Sequence, residues 1–425
     1  MINNSNALQQ ANAYRDISEQ FVVDASFLWL LRSIGVKQPH YYLEDLSALE
    51  KRIDANLDGL MCNFELAWDI CLEELTYQQA GETFTAAIIA FRSRNVNKIK
   101  QVIDHAFSND DTFKGLVSAM AWLPKNLIND WVERFLYSKD LNHKYLAIAF
   151  YGVKRKNPGN ILQELFQRED CLAHHKLLVR LLRLVGELKL YTFANQVQSL
   201  ASHESPEIAF WANWSLVMLG EHKRVLTLLD FIKEESSWQG LAIQTVFKVL
   251  PIDMSRKWIS EFAQKPEMIR TVIRATGVLG DPHAVPWLID RMSHFDTAKI
   301  AGEAFSLITG IDLERYELTI EPPEDITVVP SDDDNEDVSL DEDEHLPFPD
   351  VNKINHTWLR YRDRYKAGSR YILGIEVAKN NPATIAKLNN TLKQIPQRQR
   401  ASVALTLALL DPQSPYVNVK AMSII

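Results

Sequence analysis

Residues 277–292 read GVLGDPHAVPWLIDRM, a stretch that holds the end of one apolar helix, a turn and the helix that follows. The first helix is expected to end at Gly280, because glycine readily adopts the left-handed conformation that closes many helices. Asp281 is a candidate cap for the next helix, and Pro282 stands at an early position where a helix tolerates proline. Apolar residues then recur at helical spacing, at Val285, Leu288, Ile289 and Met292. This stretch predicts a helical hairpin.

Apolar helical stretches of the same kind recur through the middle of the chain, and most of them end at glycine or proline. Their end points, 28 to 34 residues apart, are Pro124, Gly152, Gly186, Gly220, Pro251, Gly280 and Gly310. A period near thirty residues with two helices in each period is typical of a helical solenoid. One hairpin cannot bury its apolar face alone, so each unit is expected to stack on its neighbours. We predict an all-α solenoid.

The stretch 277–292 resembles a HEAT-like repeat of the short, phycobilisome-lyase type. Other motifs stand in the order found in a proteobacterial family of HEAT-repeat proteins whose biochemical function is unassigned. They are FLWLLRSIG (27–35), LEDLSALEKRIDANLDGL (43–60), AFSLITGIDLERYEL (304–318), LPFPD (346–350), RYILG (370–374) and QRQRASVALTLALLDPQSPYVNVKA (397–421). Members of that family are often encoded among type VI secretion genes, beside spike and PAAR-like components. The resemblance implies a protein-binding adaptor, an accessory or effector-loading factor of such a system, whose partner is a spike, PAAR-like or effector protein. It supplies no catalytic residues.

The composition agrees with a large helical core. Of the 425 residues, 46% are hydrophobic and 24% are charged, and glycine (15) and proline (17) are few for this length. No apolar run reaches the roughly 20 residues that cross a bilayer, and the first twenty residues lack the features of a secretory signal. Three cysteines make neither a disulfide framework nor a metal-ligand set. We therefore expect a cytoplasmic protein without membrane contact.

Four segments are expected along the chain. They are a helical N-terminal cap (1–80), HEAT-like repeats (81–315), an acidic linker (316–350) and a helical C-terminal segment (351–425). From Glu321 to Asp350 there are thirteen carboxylates and no lysine or arginine. Because these like charges repel one another, we expect the linker to be disordered. Because the whole chain carries a net charge of −9, the remaining residues are slightly basic in total. In the last segment, 384–395 and 397–410 resemble one more hairpin.

An acidic stretch near the amino terminus matches the pattern of an EF-hand calcium loop. Its candidate ligands and glycine are Asp54, Asn56, Asp58, Gly59 and Glu65. However, apolar residues step by three and four straight through the proposed loop, at Leu46, Leu49, Ile53, Leu57 and Leu60. A calcium loop would interrupt this face and expose Leu57. We therefore expect a continuous helix and no metal site.

Arginine and aromatic residues alternate in WLRYRDRYKAGSRY, from Trp358 to Tyr371. Arginine binds phosphate and aromatic rings stack on bases, so the pattern is compatible with nucleic-acid binding. In a helix, however, Trp358, Tyr361 and Tyr365 share one apolar face, which would dock this segment onto the end of the repeats. The arginines would then be solvated or paired with the acidic linker. In a functional alternative, the acidic linker competes for this basic segment. We expect the docked helix rather than a nucleic-acid surface.

Exposed aromatic side chains on a repeat surface suit a partner protein, because aromatic residues dominate binding hot spots. Two tryptophans stand three positions apart in FWANW (210–214), although most tryptophans of the array are expected in the core. The candidate partner-binding residues are Trp211, Trp214, Trp358, Arg360, Arg362 and Arg364.

Motifs for catalysis and cofactor binding are missing from the sequence. There is no HExxH, no paired Cys-x-x-Cys, no glycine-rich phosphate loop and no GxSxG, and the histidines are scattered. HEAT-like folds nevertheless include DNA glycosylases and phycobilin lyases, and a site built from distant residues leaves no local motif. We expect a scaffold with no catalysis, cofactor or metal. The alternative is an enzyme or a nucleic-acid-binding protein on a HEAT-like scaffold.

Overall fold

The structure, a computed structural model, describes residues 2–321, 342–378 and 381–422, with side chains from Tyr14 onward. Within these ranges the strands are β1 (Tyr371–Ile372) and β2 (Ile375–Glu376), which pair antiparallel, and the other regular elements are helices. The prediction of an all-α repeat fold is confirmed. No helix in the described part of the chain is both long enough and apolar enough to span a membrane.

Internal contacts divide the chain into two units. Unit 1 contains the residues up to Lys37, Tyr41–Leu188 and the residues from Asn418 onward, and unit 2 contains Gln38–His40 and Lys189–Val417. This division falls inside the predicted repeat array and does not coincide with the predicted limits at 80, 315 and 350, which remain predictions.

Unit 1 is a succession of stacked helices. They are α1 (Ile2–Gly35), α2 (Leu43–Met61), α3 (Phe64–Glu74), α4 (Ala80–Ser93), α5 (Val96–Ala106), α6 (Asp110–Trp122), α7 (Lys125–Leu136), α8 (Leu141–Val153), α9 (Ile161–Gln167), α10 (Glu169–Ala173) and α11 (His175–Leu188). The helices α1, α4, α6, α8 and α11 form a row in which each packs against the next. The intervening α5 and α7 pack beside this row, as expected of repeated hairpins whose apolar faces are buried by their neighbours.

Helix α2 runs without a break through Asp54–Gly59 of the calcium-loop match and ends at Met61, and Glu65 lies on the next helix, α3. Leu57 is fully buried on its apolar face. Three of the candidate ligands bond side chains of unit 1 instead: Asp54 accepts from Trp122 Nε1 at 2.7 Å, Asp58 pairs with Arg92 at 2.7 Å, and Glu65 pairs with Lys98 at 2.5 Å. The prediction of a continuous helix is confirmed.

A buried carboxylate, Glu187 on α11, is surrounded by three arginines. Its oxygens lie 2.9 Å from Arg180, 2.8 Å from Arg183 and 3.0 Å from Arg155. Burial by itself would raise the pKa of Glu187, but the three arginines outweigh it and lower the pKa to about 2. These bonds join the end of α8 to α11.

Helix α8 ends at Val153, one residue after the predicted end at Gly152, but Gly152 does not adopt the left-handed conformation that was expected to close the helix. A Cβ atom at residue 152 would lie 1.2 Å from Nη2 of Arg180, the arginine that bonds Glu187. The glycine therefore leaves room for a side chain that crosses α8, and it does not close the helix.

Unit 2 continues the helical repeat. Its α-helices are α12 (Ala194–Ser199), α13 (Pro206–Met218), α14 (Gln239–Val249), α15 (Ile252–Phe262), α16 (Ile269–Leu279), α17 (Val285–Arg291), α18 (Phe295–Thr309), α19 (Val351–Tyr361), α20 (Pro382–Thr391) and α21 (Gln397–Leu410). Its 3-10 helices are Tyr191–Phe193, His222–Ile232, Pro266–Met268, Pro282–Ala284 and Arg362–Arg364. The helices α14, α16 and α18 pack in a row, with α15 against α16 and α17 against α18. The predicted C-terminal hairpin is confirmed as α20 packed against α21.

Two predicted helix ends in unit 2 are confirmed. Gly280 follows α16 with φ +73°, and Gly310 follows α18 with φ +70°. Asp281 then caps the next turn, since its carboxylate accepts a hydrogen bond from the backbone N–H of His283 at 3.1 Å.

The stretch RYILG forms β1 and the turn of the β1–β2 hairpin, which the sequence analysis did not predict. Its backbone N–H groups bond the carbonyl ends of two helices: Tyr371 donates to Gly280 at 2.7 Å, Leu373 to Leu307 at 2.6 Å, and Gly374 to Ile308 at 3.0 Å. A helix leaves its last carbonyls without partners, and this hairpin supplies them for α16 and α18. The strands therefore form for a tertiary reason.

The carboxyl end of the acidic segment is folded in the residues that the structure describes, which differs from the predicted disorder. Asp343 is buried and pairs with Arg270 and with Arg398, and Glu342 pairs with Arg274. These arginines lie on α16 and α21, not in the predicted basic segment around Arg360. The rest of the predicted linker, 322–341, lies outside the described residues.

Replacing Gly280 tests the contact between α16 and the hairpin. In Gly280→Ala the new Cβ would lie 2.0 Å from the carbonyl oxygen of Tyr371, in addition to the cost of the left-handed conformation. We expect the free energy of unfolding to fall by about 2–4 kcal/mol, measured by urea denaturation. In Gly220→Ala, where φ is +96° and no atom lies within 4 Å, the loss should be about 1 kcal/mol. Equal losses in both variants would contradict the packing argument.

Replacing Glu187 tests the arginine cluster. Glu187→Gln should lower the free energy of unfolding at pH 7 by about 3 kcal/mol, because it leaves buried arginines without their counter-ion. The folded pKa is lower than the unfolded one, so the carboxylate stabilises the fold above about pH 4.5 and this stabilisation is lost as the pH falls through about 2. Denaturation at several pH values should therefore show the gap between wild type and variant closing between pH 4.5 and 2. A difference in the free energy of unfolding that stays constant with pH would contradict the stabilising role of the Glu187 carboxylate.

Candidate functional site

A groove of about 360 Å³ lies in unit 2 between α15, α16 and the helix α17 that follows the Gly280 turn. This volume falls in the range of small-molecule and peptide side-chain pockets. Apolar side chains form most of its wall, and these are Ile259, Ala263, Val272, Leu279 and Trp287. Its polar residues are Arg256, Ser260, Thr276, Asp281 and His283. We call this cavity the repeat groove.

The polar side of the repeat groove is an ion pair between neighbouring repeats. Arg256 on α15 places Nε 2.8 Å and Nη2 2.5 Å from the same carboxylate oxygen of Asp281. Asp281 is only 2% exposed, and its second oxygen accepts the backbone N–H groups of His283 and Gly368. Both oxygens of the Asp281 carboxylate thus already accept hydrogen bonds within the protein, whereas the Arg256 side chain stays 38% exposed.

An aromatic and a titratable side chain complete the repeat groove. Trp287 is half-buried, and the guanidinium of Arg291 lies 6.0 Å from the centre of its ring. His283 is exposed at the groove. Half-buried tryptophan beside arginine is the kind of surface that forms binding hot spots.

A second surface lies on α19 and the 3-10 turn after it. Arg360, Arg362 and Arg364 are all exposed. The guanidinium of Arg364 lies 4.4 Å from the centre of the Tyr361 ring, and that of Arg360 lies 5.5 Å from it, both within cation–π range. We call these four residues the basic aromatic face.

The basic aromatic face and the repeat groove rest on one hydrophobic cluster. Trp287 from the groove and Tyr361 from the face are both packed against it. Tyr365 also packs there and donates its hydroxyl to the carbonyl of Thr309 at 2.7 Å, and burial raises the pKa of this phenol. Gly368 then bonds Asp281. The two surfaces are therefore held by the same packed elements of unit 2.

The three predicted tryptophan sites are buried, which corrects their assignment as exposed partner contacts. Trp211 is 8% exposed, Trp214 is 1% exposed and Trp358 is 7% exposed. The first two pack edge to face on α13 with ring centres 5.5 Å apart. Trp358 joins the cluster under the basic aromatic face, which confirms the predicted docking of its helix. Large apolar rings on helices that stack on both sides become core.

The predicted arginines are exposed, and the structure adds residues that the sequence did not single out. Arg256 shows no local pattern, since it pairs with a carboxylate 25 residues away, whereas Arg291 follows Trp287 by four positions on the same helix. The available signals were therefore this spacing and Asp281, which was predicted as a cap and also holds the ion pair.

Among the described residues, no group of three or more histidine, cysteine, aspartate or glutamate side chains has an arrangement that could hold a metal ion. No family model, no curated protein and no solved structure matches this chain. The family resemblance of its motifs therefore remains an expectation.

Two substitutions separate the buried tryptophan from the exposed arginine beside it. Trp358→Ala should lower the free energy of unfolding by about 3–5 kcal/mol, because it empties a packed site in the cluster. Arg360→Glu should change it by less than about 0.5 kcal/mol, because the side chain is exposed. Both values come from urea denaturation. A large loss in Arg360→Glu would show that the arginine belongs to the fold and not to a free surface.

Proposed function

We propose that this protein is a non-catalytic scaffold that binds another protein through the repeat groove and the basic aromatic face. The observation that carries the proposal is the exposed arrangement of Arg360 and Arg364 on the Tyr361 ring, next to a groove with an apolar wall. Stacked helical repeats suit such a role because they present extended surfaces for a partner.

The chemistry of the two surfaces favours an acidic partner segment with at least one apolar side chain. The arginines of the basic aromatic face would pair with carboxylates of the partner. The apolar wall and Trp287 would receive its apolar side chain, where burial supplies binding free energy. The carboxylate of Asp281 does not oppose this, because Arg256 and two backbone N–H groups already neutralise and bond it.

The biological setting of the proposal comes from the family resemblance of the motifs. It makes the protein an accessory or effector-loading adaptor of a type VI secretion system, with a spike, PAAR-like or effector protein as the partner. The acidic, partly apolar segment that fits the site would then belong to that partner.

The proposal is tested by capture of partners from the native cells by two tagged chains, the wild type and Arg360→Glu with Arg364→Glu. Wild type should retain a spike, PAAR-like or effector protein, and charge reversal should reduce the retained amount at least about tenfold, since two arginine–carboxylate pairs become repulsive. Mass spectrometry identifies the partner, and the purified pair then gives the dissociation constant.

The matched control is Arg134→Glu, because Arg134 is also exposed and lies 5.5 Å from the centre of the Trp131 ring, but in unit 1. It should bind the partner like wild type. Equal binding by all three chains would overturn the assigned surface. Retention of RNA or DNA in place of a protein, with affinity that falls steeply with salt, would favour the nucleic-acid alternative instead.

A further inference from the structure

A second cavity in unit 2, of about 80 Å³, is lined by two cationic side chains and, among the residues that the structure describes, by no carboxylate. Lys248 comes from the end of α14 and Arg370 from the residue before β1. Most of the remaining wall is apolar, and it includes Val278, Leu279, Ile372 and Leu409. This cavity is separate from the repeat groove, and the proposed function does not use it.

The two cations are held differently by the protein. The Arg370 guanidinium donates to the backbone carbonyls of Lys248, at 2.5 Å, and of Leu250, so it covers the carbonyl end of α14. The Lys248 ammonium donates one hydrogen bond, to Ser402 Oγ at 2.9 Å, and Ser402 bonds Gln244. An ammonium group has three N–H donors. Lys248 therefore brings donors to the cavity, and Arg370 brings its charge and a buried Nε that has no hydrogen-bond partner among the described residues.

Without an anion, this arrangement disfavours the charged lysine. Burial, with a further effect of the nearby Arg370, lowers the pKa of Lys248 to about 7. Burial also lowers the pKa of Arg370 to about 10, although Asp281 acts in the opposite direction. The other titratable groups at the cavity are His222, from the 3-10 helix, and Tyr371, from β1. A bound negative charge would relieve the repulsion between the two cations.

We propose that the cavity between Lys248 and Arg370 binds the anionic head of a small ligand, a carboxylate carried on a short aliphatic chain. The ammonium would donate to the carboxylate oxygens, and the chain would lie against Leu279, Ile372 and Leu409. The size sets the limit: a cavity of 150 Å³ holds benzene, so one of about 80 Å³ encloses the carboxylate and the nearest carbons, and the far end of the aliphatic chain would extend beyond it.

Butyrate is the probe, and inorganic phosphate is the arm that tests an anion without an aliphatic chain. Isothermal titration at pH 7.5 should show saturable butyrate binding, with a dissociation constant on the order of 1 mM. Titration in two buffers of different ionisation enthalpy should show net proton uptake on butyrate binding, because the anion returns Lys248 to its charged form. His222→Asn should show the same uptake, which assigns the proton to Lys248.

The deciding variant is Lys248→Met, which keeps the length of the side chain and removes its charge. It should weaken butyrate binding at least about tenfold and abolish proton uptake. The control is Lys257→Met, since Lys257 is exposed on α15 outside the cavity, and it should bind like wild type. Equal binding by both variants would overturn the proposal, as would butyrate binding without proton uptake.

Two further results have defined meanings. Phosphate binding tighter than butyrate would overturn the aliphatic carboxylate as the ligand. The melting temperature of the wild type alone gives a second test. Butyrate should raise it less as the pH increases from 7 to 9, because protonation of Lys248 becomes more costly. A pH-independent rise in melting temperature would contradict the role of Lys248.

Discussion

The contact between the Gly280 turn and the β1–β2 hairpin determines the arrangement of the repeat groove and of the cavity at Lys248 in unit 2. The carbonyl of Tyr371 lies where a side chain at residue 280 would be, so the two backbones approach closely only because Gly280 has none. Asp281 next to it pairs with Arg256 and bonds Gly368. The hairpin in turn holds Arg370 at the end of α14. One glycine–aspartate turn thus positions a groove wall, an ion pair and a cationic cavity.

Charge in this protein acts in two separate ways. Buried or half-buried arginines are used to join elements, as Arg155 does with Glu187 in unit 1 and Arg398 does with Asp343 in unit 2. Exposed arginines, such as Arg364 on Tyr361, leave most of their donors facing solvent. Only the second kind offers net charge to a partner, because a carboxylate of the chain itself already occupies the first. The sum of charges in the sequence does not distinguish them.

The difference between exposed side chains and side chains packed between elements also explains which parts of the candidate site were predictable. Arg360, Arg362 and Arg364 were found because a charged side chain in an aromatic helix has to face solvent once the aromatic face is buried. Trp211 and Trp214 were assigned wrongly, because helical spacing cannot show that α13 packs on several sides. Arg256 and Lys248 were missed, since their partners are distant in the chain. Arg370 belongs to the predicted basic segment, but it was expected in solvent or beside the acidic linker, whereas it bonds the carbonyl of a residue 122 positions away.

The amino-acid sequence by itself determined the helical repeat, the end of α16 at Gly280, the unbroken α2 through Leu57 and the docking of α19 by Trp358. Each of these follows from spacing along one helix or from the conformation of one residue, and both are local properties. Tertiary structure alone decided the passage of Arg180 over Gly152, the β1–β2 hairpin and the cavity at Lys248. These depend on helix ends and side chains that meet only after the hairpins stack. The groups in contact are separated in the chain by no regular spacing, so the sequence does not show that they meet.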